Sequence, residues 1–143
     1  MIRILIADDE ALECRVLEKI IYDNLKDVLV LPFAKDGLEL VSRAEKEHPD
    51  IVIADINMPG LGGLDAIDYL HRKDPNLLVL VVTAYSRFEY AQRALSLGAS
   101  GYLLKPVKEK EFVSCMRDLL SRLQKEQEER EVEKDTQIGR AHV

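Results

Sequence analysis

Five short apolar runs alternate with longer amphipathic segments, and no other feature limits the possible folds so strongly. The runs cover residues 2–7, 28–33, 51–54, 77–82 and 102–104. Their Val, Ile and Leu residues lack polar alternation, as expected of strands covered on both faces. Helical periodicity is predicted over 11–24, 37–47, 63–72 and 87–97, and a fifth helix begins near Lys108. Leu12, Val16, Leu17, Ile20, Ile21 and Leu25 mark an apolar stripe at three-and-four spacing, and Leu38, Val41 and Ala44 repeat it with Leu40 beside them. Turn chemistry sits at the joints, in Asp36-Gly37, His48-Pro49, Pro59-Gly60, Asp74-Pro75-Asn76 and Leu97-Gly98. Strand–helix–strand units of this length join parallel strands by right-handed crossovers. The expectation is a doubly wound α/β domain, (βα) five times over, with an open twisted sheet between helices.

Length and charge agree with one such domain and a short extension. A 143-residue chain buries about two-thirds of its unfolded surface, so it needs neither disulfides nor a metal to fold. Cys14 and Cys115 lie far apart in helical patterns and read as small buried side chains. No stretch approaches the ~20 apolar residues of a membrane span, and the first run is too short for a signal-peptide core. A reducing cytoplasm is the expected location. The net charge of −6 weighs against nucleic-acid binding by this chain, because phosphate contact needs a basic face.

The fifth helix carries Phe112, Met116, Leu119, Leu120 and Leu123, which would cover the sheet. Beyond it the pattern stops: residues 124–135 hold nine charges and one apolar residue, Val132. The domain is therefore expected over residues 1–123, followed by an extension over 124–143. Good helix formers suggest a solvated helical linker, and a frayed tail is the competing reading. Residues 138–143 have no periodicity and read equally as linker or vector-derived tail.

The polar residues at the strand ends carry the chemistry. The first strand runs into Asp8-Asp9-Glu10, the third into Asp55, the fourth into Thr83 and the fifth into Lys105. In a doubly wound sheet these ends share one edge, where ligands bind. Asp8 or Asp9 alone could be a helix N-cap, and Thr83 alone a β-branched strand residue. Together, three carboxylates repel one another and call for a hard divalent cation; Mg2+ fits an all-oxygen set. A carboxylate beside such an ion, with an amine and a hydroxyl nearby, suits phosphoryl transfer with Asp as covalent acceptor.

The stretches ILIADDE, DIVIADINMPGLGGLD, VVTAY and GASGYLLKPV, in this order and spacing, resemble the receiver domain of two-component response regulators from Ile2 to about Leu123. That resemblance implies a flavodoxin-like five-stranded sheet of order 2-1-3-4-5. It implies Asp55 as phospho-acceptor of a sensor histidine kinase, in a protein that takes up and hydrolyses phosphate but is not an enzyme in the ordinary sense. It also implies Asp8 and Asp9 as the acidic Mg2+ pocket, with Asp55 and the backbone carbonyl of Asn57 completing the ligand set. Thr83 and Lys105 would contact the phosphoryl group, and Tyr102 would be the aromatic that moves with Thr83. Lys105-Pro106 matches a Lys-Pro pair that is usually cis. Asn57 and Tyr85, two residues after Asp55 and Thr83, would tune hydrolysis of the phosphoryl group. The chain departs from the family at Gly62, where an acidic residue is common.

The segment Ala84-Tyr85-Ser86-Arg87-Phe88-Glu89-Tyr90-Ala91, followed by GASGYLLKPV and the charged extension, resembles receivers joined to AraC-type helix-turn-helix output domains. The chain has no room for such a domain, so DNA contact is expected only through a part outside it. A stand-alone receiver signalling by protein contact is the alternative within this fold. A homodimer through the fourth helix, fifth strand and fifth helix, or through the extended helix, is a further expectation. A small Mg2+-dependent aspartyl-nucleophile phosphohydrolase is disfavoured because Asn57 stands where a proton-transferring acid would be needed. A flavin-binding fold is disfavoured because acids after the first strand repel phosphate. His48, His71 and His142 pair with no nucleophile and are expected at the surface.

Overall fold

The computed structural model describes residues 1–141, with side chains described through Val132. Ten elements alternate without exception: β1 (Ile2–Ala7), α1 (Ala11–Asn24), β2 (Val28–Val30), α2 (Gly37–Glu47), β3 (Ile51–Ala54), α3 (Gly63–Lys73), β4 (Leu78–Thr83), α4 (Phe88–Ser96), β5 (Gly101–Leu104) and α5 (Glu109–Ala141). All strand pairs are parallel and the sheet order is β2-β1-β3-β4-β5, the arrangement expected from the sequence.

The unbroken apolar runs follow from burial on both faces. Alternate side chains of one strand enter different cores. Leu5, Ala7, Val52, Ala54, Val79 and Val81 pack with Leu40 and Ala44 of α2, Leu64 and Ile67 of α3, and Ala94 of α4. Ile4, Ile6, Ile51, Ile53, Leu80 and Val82 pack with Cys14, Leu17 and Ile21 of α1 and with Phe112, Met116 and Leu119 of α5. Each residue of β4 is buried, since this strand has neighbours on both edges and helices on both faces.

Register places the strand ends. Ala7 of β1 pairs with Ala54 of β3, so the next residues, Asp8 and Asp55, emerge side by side. Thr83 of β4 pairs with Leu104 of β5, so Lys105 emerges one residue later on the same edge.

Several boundaries and faces differ from the sequence reading. The second run is a strand only through Val30, although Leu31 and Ala34 still donate amide hydrogen bonds to Ile4 and Ile6. Pro32, with no N–H, interrupts the ladder between them. The stripe on α1 spans a wider arc than one sheet contact covers. Cys14, Leu17 and Ile21 face the strands, whereas Leu12 is 74% and Val16 51% exposed. Those two line a groove with Ile20, Val82, Pro106 and Val107. Leu38 is likewise exposed, and the α2 contact is made by Leu40 and Ala44. The helix predicted to begin near Lys108 starts at Glu109 and continues past Leu123 to Ala141.

His71 is half-buried and not at the surface as expected, because Gly98 lies against its imidazole. A Cβ at Gly98 would meet that ring, and its φ of +107° favours glycine as well. His48 is exposed at the C-cap of α2, and His142 lies outside the described residues. Cys14 is buried and Cys115 half-buried, both as free thiols. Burial pushes the Cys14 thiol up to about 11, which leaves it unreactive at neutral pH.

The two sides of this packing differ sharply in expected cost. Phe112→Ala empties a fully buried site and is expected to destabilise by about 3–5 kcal/mol. Leu12→Ala, by contrast, should stay within about 0.5 kcal/mol of the parent. Urea unfolding of the two variants checks both values; an equally large loss for Leu12→Ala would contradict the packing of α1.

Candidate functional site

The sheet's carboxyl edge brings Asp8, Asp55, Thr83 and Lys105 together from four strands. Asp8, Asp55 and Thr83 are the buried polar residues of the described chain. Each aspartate is fastened locally: Asp8 Oδ1 accepts the Glu10 amide at 3.0 Å, and Asp55 Oδ1 accepts the Asn57 amide at 2.9 Å. Neither is spent on capping a helix, for the N-cap of α1 is Glu10, with no side-chain cap bond. Their remaining oxygens, Asp8 Oδ2 and Asp55 Oδ2, each accept from Lys105 Nζ at 2.8 Å.

One ammonium thus joins two buried carboxylates from neighbouring strands. Its own position is set by the backbone, since the Lys105 amide donates to the Thr83 carbonyl at 2.9 Å. The Lys105–Pro106 bond is cis. Burial alone would push Lys105 down, but the hydrogen bonds to Asp55, Asp8 and Glu13 outweigh it, and the side chain is held well above the ordinary lysine range. It is a cation at every physiological pH.

Asp9 is the exposed member of the acidic set. Partial desolvation, then a hydrogen bond with Asp8 and the charges of Asp8 and Asp55, raise its carboxyl above the ordinary value of 3.8. Glu10 is raised as well, first by the charge of Glu13. Among the described residues no group of three acidic, imidazole or thiol side chains forms a ready metal cage. The negative charge is nevertheless in excess: Asp8 and Asp55 share one ammonium, and the charges of both act on the nearby Asp9. An all-oxygen donor set with surplus negative charge fits a hard divalent ion that needs few protein ligands.

Thr83 is fully buried, and its Oγ1 accepts the Tyr85 amide at 3.3 Å. The Tyr102 hydroxyl donates to the Tyr85 carbonyl at 2.7 Å. The Tyr85 ring stacks on Tyr90, with centroids 4.9 Å apart. Asn57 is exposed at the mouth of the site.

Two residues entered the site without being anticipated. Glu13, in the first turn of α1, forms an ion pair with Lys105 Nζ. Its place directly after Asp8-Asp9 was the available signal, but only the loop after β5 decides which first-turn side chain meets the lysine. Gly63 reads in sequence as a turn former. In the fold a Cβ there would collide with the Asp55 carbonyl oxygen and the Ile56 Cα, so glycine lets α3 start against the end of β3. Gly62, where the chain departs from the family, has open space around it, and its φ is ordinary, so neither closeness nor strain demands a glycine there.

A five-stranded doubly wound sheet of order 2-1-3-4-5, with an acidic pocket anchored by lysine at its carboxyl edge, defines a CheY-like receiver fold. The chain belongs to the response regulator receiver domain family of two-component systems, whose model matches residues 4–117. Among curated relatives it is 31% identical over 126 residues to the uncharacterized transcriptional regulatory protein YesN of Bacillus subtilis, covering 88% of this chain and 34% of that protein. It is 34% identical over 122 residues to the transcriptional regulatory protein DesR of the same species, covering 85% and 59%. The receiver domain of AraT, a response regulator from Geobacillus stearothermophilus, superposes with a TM-score of 0.78 at 32% identity, covering 87% of this chain and 97% of that one. The chain thus spans between a third and three-fifths of the lengths of YesN and DesR.

The raised Asp9 carboxyl contributes to the pH dependence of stability. Its folded value lies above its unfolded one, so its ionised form opposes folding. That penalty is absent below the ordinary 3.8 and complete above the raised folded value. Asp9→Asn is therefore expected to raise Tm at pH 7 and to leave it unchanged at pH 3. Thermal unfolding at the two pH values measures this, and a gain of equal size at both would contradict it.

Proposed function

We infer that the chain is a phospho-acceptor that takes a phosphoryl group on Asp55 from the phosphohistidine of a sensor kinase. The observation that carries this reading is the pairing of the buried Asp55 carboxylate with Lys105, beside Asp8. A carboxylate oxygen of Asp55 attacks phosphorus in line; the new O–P bond forms as the P–N bond breaks, and the electron pair leaves with the imidazole. The Lys105 ammonium is placed to neutralise charge on the transferring oxygens, and the Thr83 hydroxyl to donate to one of them.

Receiver domains in general use Mg2+, and the donor set here suits it. Asp8, Asp9, Asp55 and the backbone carbonyl of Asn57 would hold the ion, whose contribution is charge neutralisation. Hydrolysis of the acyl phosphate completes the cycle without a separate substrate site, so the chain is a self-modifying switch and not a turnover enzyme. The Asn57 side chain cannot transfer a proton, and this supports slow hydrolysis over a phosphohydrolase role.

The relatives support an output in transcription. YesN and DesR are both transcriptional regulatory proteins longer than this chain. Residues 1–123 would then be the receiver, and 124–143 a helical linker toward an output domain that contacts DNA. Homodimerisation through α4, β5 and α5 is supported by the exposed Phe88, Leu95 and Leu104. No described helix is long and apolar enough to cross a membrane, and a cytoplasmic location suits a partner of a kinase.

Acetyl phosphate with MgCl2 tests the acceptor. The parent should gain one phosphoryl group by intact mass, and Asp55→Asn should gain none; uptake by that variant would refute the assignment. Tyr85→Ala should shorten the phosphoryl lifetime, because the bulky ring 36% exposed at the site's rim restricts the attacking water. Its release of inorganic phosphate, compared with the parent, measures this, and an unchanged rate would remove Tyr85 from that role.

A further inference from the structure

Tyr85 is gripped at three points by three different elements. Its amide donates to Thr83 Oγ1 at the end of β4, and its carbonyl accepts from the Tyr102 hydroxyl on β5. Its ring stacks on Tyr90, with an interplanar angle of 25°, in the first turn of α4. The N-cap of α4 is Arg87, which makes no side-chain capping bond. The Tyr85–Tyr90 stack spans that N-cap much as a hydrophobic staple would and defines how the chain enters the helix.

Tyr90 is also tied inward. It is half-buried and packs on the core that includes Ala94 and Val81, as do Leu61, Leu97 and Tyr102. A displacement of Tyr85 is therefore passed to a side chain seated in that core and not lost into solvent. We propose that Tyr90 is a positioning residue that couples the state of the phospho-acceptor site to α4 through its stack on Tyr85. This rests on the phospho-acceptor reading. A rotation of Thr83 about χ1 that carries its hydroxyl to a phosphoryl oxygen would move Oγ1 away from the Tyr85 amide, whose bond is already long at 3.3 Å. The Tyr85 amide and carbonyl belong to two peptide planes that meet at its own Cα, the atom that also carries the ring, so a movement of the amide plane reorients the ring. The two-state element of this proposal is the loop 84–87, which the Thr83 bond and the ring stack both hold.

Sequence alone hides this role. Tyr90 sits seven residues beyond Thr83 and has helical spacing with Ala94, which reads as ordinary core filling.

Hydrogen exchange of the α4 amides, with and without acetyl phosphate and MgCl2, tests the proposal at matched phosphoryl occupancy read by intact mass. In the parent, phosphorylation should change α4 exchange by about fivefold or more. Tyr90→Leu should still take up phosphate on Asp55, yet its α4 change should fall below about twofold. Tyr90→Phe keeps the ring and should restore the parent's change. A full α4 response in Tyr90→Leu, or its loss in Tyr90→Phe, would overturn the coupling role. If Tyr90→Leu opens α4 before any phosphate is added, Tyr85→Leu removes the same stack from the loop side, and a preserved response there also overturns the role. Failure of the parent to acquire phosphate would instead refute the acceptor reading.

Discussion

Two buried carboxylates share one ammonium, and the carboxyl edge of the sheet is arranged around that contact. Asp8 and Asp55 stand side by side because β1 and β3 are in register at Ala7 and Ala54. Unpaired, they would be two like charges removed from water, an arrangement that costs several kcal/mol per ion. Lys105 relieves it from the end of β5, two strands away from β3 in the sheet, so the active edge is closed by a residue remote in sequence. The same contact makes the site responsive, since anything that adds or removes charge at Asp55 changes what Lys105 must neutralise.

The pocket is held on a rigid frame, whereas its outlet lies in a loop. Asp8 and Asp55 follow strands β1 and β3, which are buried where they approach the site, and Gly63 allows α3 to close against Asp55. Thr83 then hands its one described side-chain bond to Tyr85, in an exposed segment held by Tyr102 and Tyr90. Rigid placement of reacting groups beside a loosely held reporter is what a two-state switch needs: the chemistry must be precise while the alternative packings stay close in energy.

Much of this was legible in the sequence because period is a local property. The five runs without polar alternation announced strands covered on both faces, and residues such as Asp55 and Thr83 at their ends were visible as polar intrusions. Faces were less legible. Leu12 and Val16 belong to the same apolar stripe as Leu17 and Ile21, yet the neighbouring loop after β5 leaves them in a groove. His71 looked like a surface residue because nothing local announces that Gly98, on a distant turn, will cover its ring.

The sequence by itself determined the alternation of elements, the parallel sheet and the identity of the polar groups at its edge. Each depends on hydrophobic period, on turn residues and on the chirality of crossovers, all of which act over a few neighbouring residues or one strand–helix–strand unit. Only the tertiary structure decided which side chains meet. Glu13 on Lys105, Tyr102 on the Tyr85 carbonyl and Tyr85 on Tyr90 depend on register and helix rotation, which are set by packing summed over the whole domain and leave no mark at the residues themselves.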